Sequence, residues 1–195
     1  DIWHGGHFME ADRKSNILWE YEDPYAHHDA QWLNDGLLYV AAADYKDGRY
    51  SDIVRIVDRQ GNVKWEWCAW KKLSEKNWPV HEGMPDNHWP MINGVHLHDN
   101  IVYMSLRNTS GIIGVHIDSK DVVWSVKWPD VAQQHCPVVT DKGTLIAFCN
   151  GNIRPPGVHH SRIVEFDLAS KECVWSYVDN MPPSFFSPYM GSVQR

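Results

Sequence analysis

One phrase recurs four times along this chain, and it leaves little choice of architecture. An alternating apolar strand runs into an Asp, a short polar turn follows, and a second strand centres on Trp. The copies are Met9-Glu10-Ala11-Asp12 leading to Ile17-Leu18-Trp19-Glu20-Tyr21, and Arg55-Ile56-Val57-Asp58 leading to Val63-Lys64-Trp65-Glu66-Trp67. They continue with Val115-His116-Ile117-Asp118 before Val122-Val123-Trp124-Ser125-Val126, and Val164-Glu165-Phe166-Asp167 before Cys173-Val174-Trp175-Ser176-Tyr177. Period-two patterning around Asn, Gly, Ser and Lys turns predicts a β-hairpin for each. The four Trp lie 46, 59 and 51 residues apart, the length of one four-stranded sheet per repeat.

A second phrase, strand then tight Asn/Asp/Gly turn then strand, opens the units at His28–Val40, Asn93–Ser105 and His135–Phe148. Helical periodicity is absent over any long stretch. The expected fold is therefore all-β, a single β-propeller domain over residues 1–195. About four blades of a larger ring are expected, with both ends falling mid-blade. The closing segment Gly191–Arg195 reads as the first strand of a further unit. The chain opens on Asp1 with neither an initiator Met nor a signal peptide, which reads as a processed form or a piece of something longer. The long segments 70–92, 150–160 and 180–188 are the loops where function is expected.

Composition narrows the partners. Lys and Arg number 18 against 25 Asp and Glu, a net charge of −7, with no basic run to follow a phosphate backbone, so nucleic acid is not an expected partner. No apolar run reaches the roughly 18 residues of a membrane helix. The four Cys (Cys68, Cys136, Cys149, Cys173) show no metal or redox spacing. The surplus lies in 11 Trp and 12 His. Trp19, Trp65, Trp124 and Trp175 follow the repeat and are assigned to blade packing. Trp70, Trp78, Trp89, Phe185 and Phe186 fall in loops, where they either line an aromatic pocket or pack the loops themselves.

Several local phrases are similar to the arylsulfotransferase family, a group of six-bladed propellers. They are His28-Asp29, Ser105-Leu106-Arg107-Asn108, Gln134-His135, Ser161–Asp167 and Phe185–Arg195. The resemblance implies sulfuryl transfer between phenols through a sulfated histidine on the propeller axis, needing no cofactor, in a periplasmic or extracellular protein. His135 matches the nucleophile, Arg107 the sulfuryl-binding arginine, and His28 a second histidine at a blade start. The family carries a further His where this chain has Met91, and His88 or His96 is expected to stand in for it. Asn93, Gln134, Phe185 and Phe186 complete the expected substrate-binding set.

The residue types suit that chemistry. Neutral imidazole is a competent nucleophile at neutral pH, and guanidinium offers a planar fork to sulfuryl oxygens. A protonated His28 could pass a proton to the leaving oxygen. An isolated His at a strand start is ordinarily a surface hydrogen-bonder, and the matched blade positions of His28 and His135 set them apart. Two other readings compete. One is a metal-assisted lyase with His28, His135 and Gln31 or Gln134 as axial ligands, the other a non-catalytic propeller that binds a partner. His96 and His98, His27-His28, His159-His160 and His4/His7 are further candidate metal donors. The sequon Asn108-Thr109-Ser110 beside Arg107 reads as coincidence.

Overall fold

The computed structural model describes residues 5–153 and 158–195. A two-stranded hairpin comes first, β1 (Gly6–Ala11) with β2 (Ile17–Asp23). Three four-stranded antiparallel sheets follow in the order of the chain. Blade one is β3 (Ala26–Leu33), β4 (Gly36–Asp44), β5 (Tyr50–Asp58) and β6 (Val63–Cys68). Blade two is β7 (Ile92–His98), β8 (Ile101–Leu106), β9 (Gly111–His116) and β10 (Val122–Lys127). Blade three is β11 (Gln134–Val139), β12 (Thr144–Cys149), β13 (Arg162–Asp167) and β14 (Cys173–Tyr177). The innermost strands β3, β7 and β11 lie side by side. The fold is thus the expected propeller, and the expected four or so blades resolve into three complete ones and the outer half of another.

The repeated phrase forms the outer hairpin of each sheet, and its chemistry is local. Asp12 Oδ1 accepts the backbone N–H groups of Lys14 and Asn16, Asp58 Oδ1 those of Gln60 and Asn62, and Asp167 Oδ1 those of Ala169 and Ser170. One residue in each turn is left-handed (Ser15, Gly61, Lys120, Lys171), and a bulge follows in every outer hairpin. At Gly36, where φ is 156°, a Cβ would lie 1.9 Å from the Val57 carbonyl oxygen, so the inner turn of blade one admits only glycine.

The repeated Trp of each hairpin ties one blade to the next. Trp19 Nε1 donates to the Arg59 carbonyl at 2.8 Å, Trp65 Nε1 to Ile117 at 2.8 Å, and Trp124 Nε1 to Leu168 at 3.1 Å. Each acceptor lies in the outer turn of the following blade. Trp175, with no following hairpin among the described residues, is 40% exposed. The core accordingly lies between sheets. Val54, Trp65, Trp67, Trp89 and Met104 fill the space between blades one and two, and Tyr103, Trp124, Leu145 and Phe166 that between two and three. Trp78 and Trp89 are buried in the first of these layers and Trp70 packs against it, so the role of all three is packing. No described helix is long and apolar enough to cross a membrane.

Gly191–Arg195 forms no strand. Residues 187–192 instead make an irregular strap held to the ends of β11 and β12. Asn150 Nδ2 donates to the carbonyls of Ser187 (2.7 Å) and Met190 (3.2 Å), and Asn152 Nδ2 to that of Pro188 (2.7 Å). The strap lies so close that a Cβ at Gly191 would sit 2.1 Å from the Phe148 ring.

Candidate active site

The inner strands start irregularly, and these starts carry the chemistry. Each has a bulge near its first residues: between Ala26 and Ala30 in β3, Ile92 and Gly94 in β7, His135 and Val138 in β11. His28 and Cys136 take positive φ there. Bulges turn side chains out of the sheet alternation, which aims His28, Asn93 and His135 into one space. That space is a cavity of about 730 Å³ lined by His28, Asp29, Asn93, His135, Cys136 and the strap residues 189–192.

His135 is held through its Nδ1. That atom lies 2.6 Å from Asn150 Oδ1, and the amide nitrogen of Asn150 is committed to the strap carbonyls. Asn150 therefore presents an acceptor, His135 Nδ1 carries the proton, and Nε2 keeps the lone pair. Burial pushes the His135 pKa below its ordinary 6.5, the Asn150 bond opposes this, and the nearby Arg107 charge adds to the lowering. The ring is neutral at pH 7.

Arg107 follows β8 in the turn 107–110, its backbone N–H donating to the Met91 carbonyl at 2.9 Å. Among the described residues its guanidinium bonds the neutral atoms Asn108 Oδ1 at 3.1 Å and Met91 Sδ at 3.9 Å and has no carboxylate partner. Burial lowers its pKa, yet arginine stays charged. The side chain borders an adjoining cavity of about 280 Å³, separated from the larger one by Tyr189, which lines both. A partly buried guanidinium without a carboxylate partner is chemically suited to an oxyanion.

His28 opens on the same cavity. Burial, then the neighbouring His27, pushes its pKa down to about 4, with smaller effects from His135 and His88. At neutral pH it is a neutral imidazole, not the imidazolium that the sequence suggested as proton donor. Its Nδ1 sits 2.8 Å from His27 Nδ1. Asp29 Oδ2 accepts the Val95 N–H at 2.9 Å, linking β3 to β7.

The remaining expected residues divide. Asn93 lines the cavity and also donates from Nδ2 to the Gln134 carbonyl at 3.0 Å. Gln134 is fully buried, its amide nitrogen donating to Ser105 Oγ and the Gly111 carbonyl, so it anchors β11 and does not line the cavity. His88 is buried behind the cavity wall, 2.8 Å from Asp52 Oδ1. His96 stacks on His98 farther along β7, away from the cavity. Phe185 packs edge-on to Phe148 and Tyr177, and Phe186 meets His159; neither lines the cavity. Tyr189, three residues beyond Phe186, supplies the aromatic wall instead.

Axial metal ligation through a Gln finds no support. Gln31 is bonded through both ends of its amide to the backbone of Leu97, and Gln134 lies outside the cavity lining, its amide nitrogen bonded while its buried Oε1 has no hydrogen-bond partner among the described residues. Asn108 is buried with Nδ2 donating to the carbonyls of Pro85 and His88, so the sequon is no glycan acceptor. Cys68, Cys136 and Cys173 form no disulfide among the described residues. His4 lies outside the described residues, as does part of the 150–160 loop.

The arylsulfotransferase (ASST) family model matches residues 13–131. The chain belongs to the arylsulfotransferase family. No curated protein sequence matches it. Among solved structures, a protein of unknown function from Bacteroides caccae, determined at 1.35 Å, is similar with a TM-score of 0.55 and 15% identity over 85% of this chain. A europium-containing methanol dehydrogenase aligns over 83% of this chain and 26% of its own, with 12% identity and a TM-score of 0.49. The first supports the propeller fold, and the arylsulfotransferase chain spans 51% of that protein's length. The family match covers β2 to β10 and thus His28 and Arg107, while His135 lies just beyond it.

Proposed function

We propose that this arylsulfotransferase chain carries a sulfuryl-transfer centre acting on aryl sulfates and phenols, with His135 as the nucleophile. In the first half-reaction the His135 Nε2 lone pair attacks sulfur. An N–S bond forms, the S–O bond to the aryl group breaks, and the phenolate departs to take its proton from water. In the second, a phenolic acceptor attacks the same sulfur, releases its proton to water, and restores neutral His135. Arg107 neutralises the sulfuryl oxygens in both directions. Neutral His28 hydrogen-bonds the bridging phenolic oxygen, and Tyr189 stacks on the aromatic ring.

The observation that carries this reading is the His135–Asn150 bond beside an unpaired Arg107. It favours a neutral imidazole with its lone pair on Nε2, near a cation that has no carboxylate partner among the described residues. The test uses the full-length protein with 4-nitrophenyl sulfate. Intact and peptide mass spectrometry are expected to show one acid-labile sulfuryl group on His135, absent from His135→Ala. Turnover without that adduct, or with wild-type rate in His135→Ala, overturns the proposal.

A further inference from the structure

Behind the cavity wall three side chains converge from separate parts of the fold: His27 on β3, Asp52 on β5, and His88 in the segment before β7. One donor atom from each lies within 4.8 Å of the others. Both rings approach through Nε2, His27 at 3.2 Å and His88 at 2.8 Å from the same Asp52 Oδ1. The side chains are 2%, 0% and 10% exposed in the order His27, Asp52, His88. We propose that His27 Nε2, Asp52 Oδ1 and His88 Nε2 bind one divalent transition-metal ion of the zinc class, clasping blade one to the segment that opens blade two.

Hydrogen bonding alone does not account for the cluster. His27 Nε2 is buried, and its one close polar neighbour among the described residues is Asp52 Oδ1 at 3.2 Å, an oxygen already taken at 2.8 Å by His88 Nε2 and reached by His27 with poor hydrogen-bond geometry. An imidazole nitrogen with 2% side-chain exposure and so poorly aligned a partner is costly to bury, and a cation placed among the three donors satisfies it. Two neutral imidazoles and one carboxylate are a common zinc donor set, with a solvent molecule taking the fourth position. The outer contacts are those that metal ligands use. His27 Nδ1 meets His28 Nδ1 at 2.8 Å, and Asp52 Oδ2 accepts the Ile92 N–H at 3.0 Å. A second cavity of about 210 Å³, bordered by Gly6, His27 and His28, provides a route in.

The ion would also decide which nitrogen of His28 faces the cavity as a donor. A metal on His27 Nε2 leaves the proton on His27 Nδ1, which then donates to His28 Nδ1. The His28 proton must sit on Nε2, and neutral His28 becomes a hydrogen-bond donor toward a phenolic oxygen. This consequence rests on the sulfotransfer reading; metal binding itself does not, and its readout involves no turnover.

The test is titration of the intact, metal-stripped protein with Zn²⁺ by calorimetry, together with Co²⁺ absorption spectra. One ion per chain is expected, with a Co²⁺ spectrum of low coordination number and nitrogen–oxygen donors. His88→Ala and Asp52→Asn are each expected to weaken Zn²⁺ binding at least about 100-fold. The double variant His96→Ala/His98→Ala, which removes the exposed histidine pair, should bind like wild type. Folded His88→Ala and Asp52→Asn proteins with wild-type affinity, or loss of binding only in the His96/His98 variant, overturn the site. If neither single variant folds, the wild-type spectrum decides, and an octahedral or absent Co²⁺ signal overturns it.

Discussion

Asn150→Leu isolates the interaction on which the nucleophile depends. The side chains are close in volume, but leucine offers His135 Nδ1 no acceptor. In the reactive tautomer that N–H is then stranded in a partly buried site, at a cost of about 1–3 kcal/mol. The other tautomer, with its lone pair on Nδ1, is favoured by that amount. The fraction of His135 presenting a lone pair on Nε2 drops by about 5- to 150-fold, and the rate of sulfuryl capture drops with it. Asn150→Leu also frees the strap that carries Tyr189, so the capture step is read at saturating donor. Single-turnover release of 4-nitrophenolate measures this step directly. Asn150 also holds the strap, so Asn150→Asp serves as the control, losing the donors to Ser187 and Met190 while keeping an acceptor for His135. In wild type the capture rate should rise with pH through a value below 6.5, because a histidine pushed down by burial becomes a free base earlier. The carboxylate introduced by Asn150→Asp favours the imidazolium, so the limb moves to higher pH, with the rate recovering above it. Asn150→Leu and Asn150→Asp equally slow at high pH would show that the strap matters and the tautomer does not.

Arg107→Lys should lower kcat/KM for aryl sulfates by about 10²–10³-fold, because an ammonium cannot span two sulfuryl oxygens as the guanidinium fork does; steady-state kinetics at constant ionic strength reads it. Tyr189→Ala removes one aromatic face from an exposed strap residue, so KM for the aryl substrate should rise about 2- to 10-fold with thermal stability unchanged. Trp65→Phe strips the Ile117 carbonyl of its donor between blades one and two and should cost about 1–3 kcal/mol in denaturant unfolding. Trp175→Phe, at the exposed end of the same series, should cost less than about 0.5 kcal/mol, and equal losses at the two positions would refute the blade-linking role of the indole N–H.

What can be read from the chain without its structure follows how far each residue acts from its place in sequence. The outer hairpins are legible because everything that makes them is local: Asp58 caps its own turn, Gly61 takes the left-handed position, and Trp65 repeats at the interval of a blade. Counting those phrases gives about four blades, yet each marks only the outer half of a sheet. The inner phrase occurs three times, and that smaller number is the number of complete blades. At the site, His28, Arg107 and His135 come through likeness to a family, since alternation says which side of a strand a residue faces and not which strand starts converge. Gln134 and Phe185 are the right types in suggestive places, but a buried amide is drawn to unpaired backbone, and a loop aromatic has no periodicity to give its direction. Asp52 is visible in principle. A carboxylate in the strand Tyr50-Ser51-Asp52-Ile53-Val54, between positions that must be apolar to fill the space between blades, is too costly to bury without partners. The two histidines that meet it supply part of that compensation. His27 Nε2, 3.2 Å from the same carboxylate oxygen and poorly aligned with it, completes that compensation only in part, and the proposed cation would supply the rest.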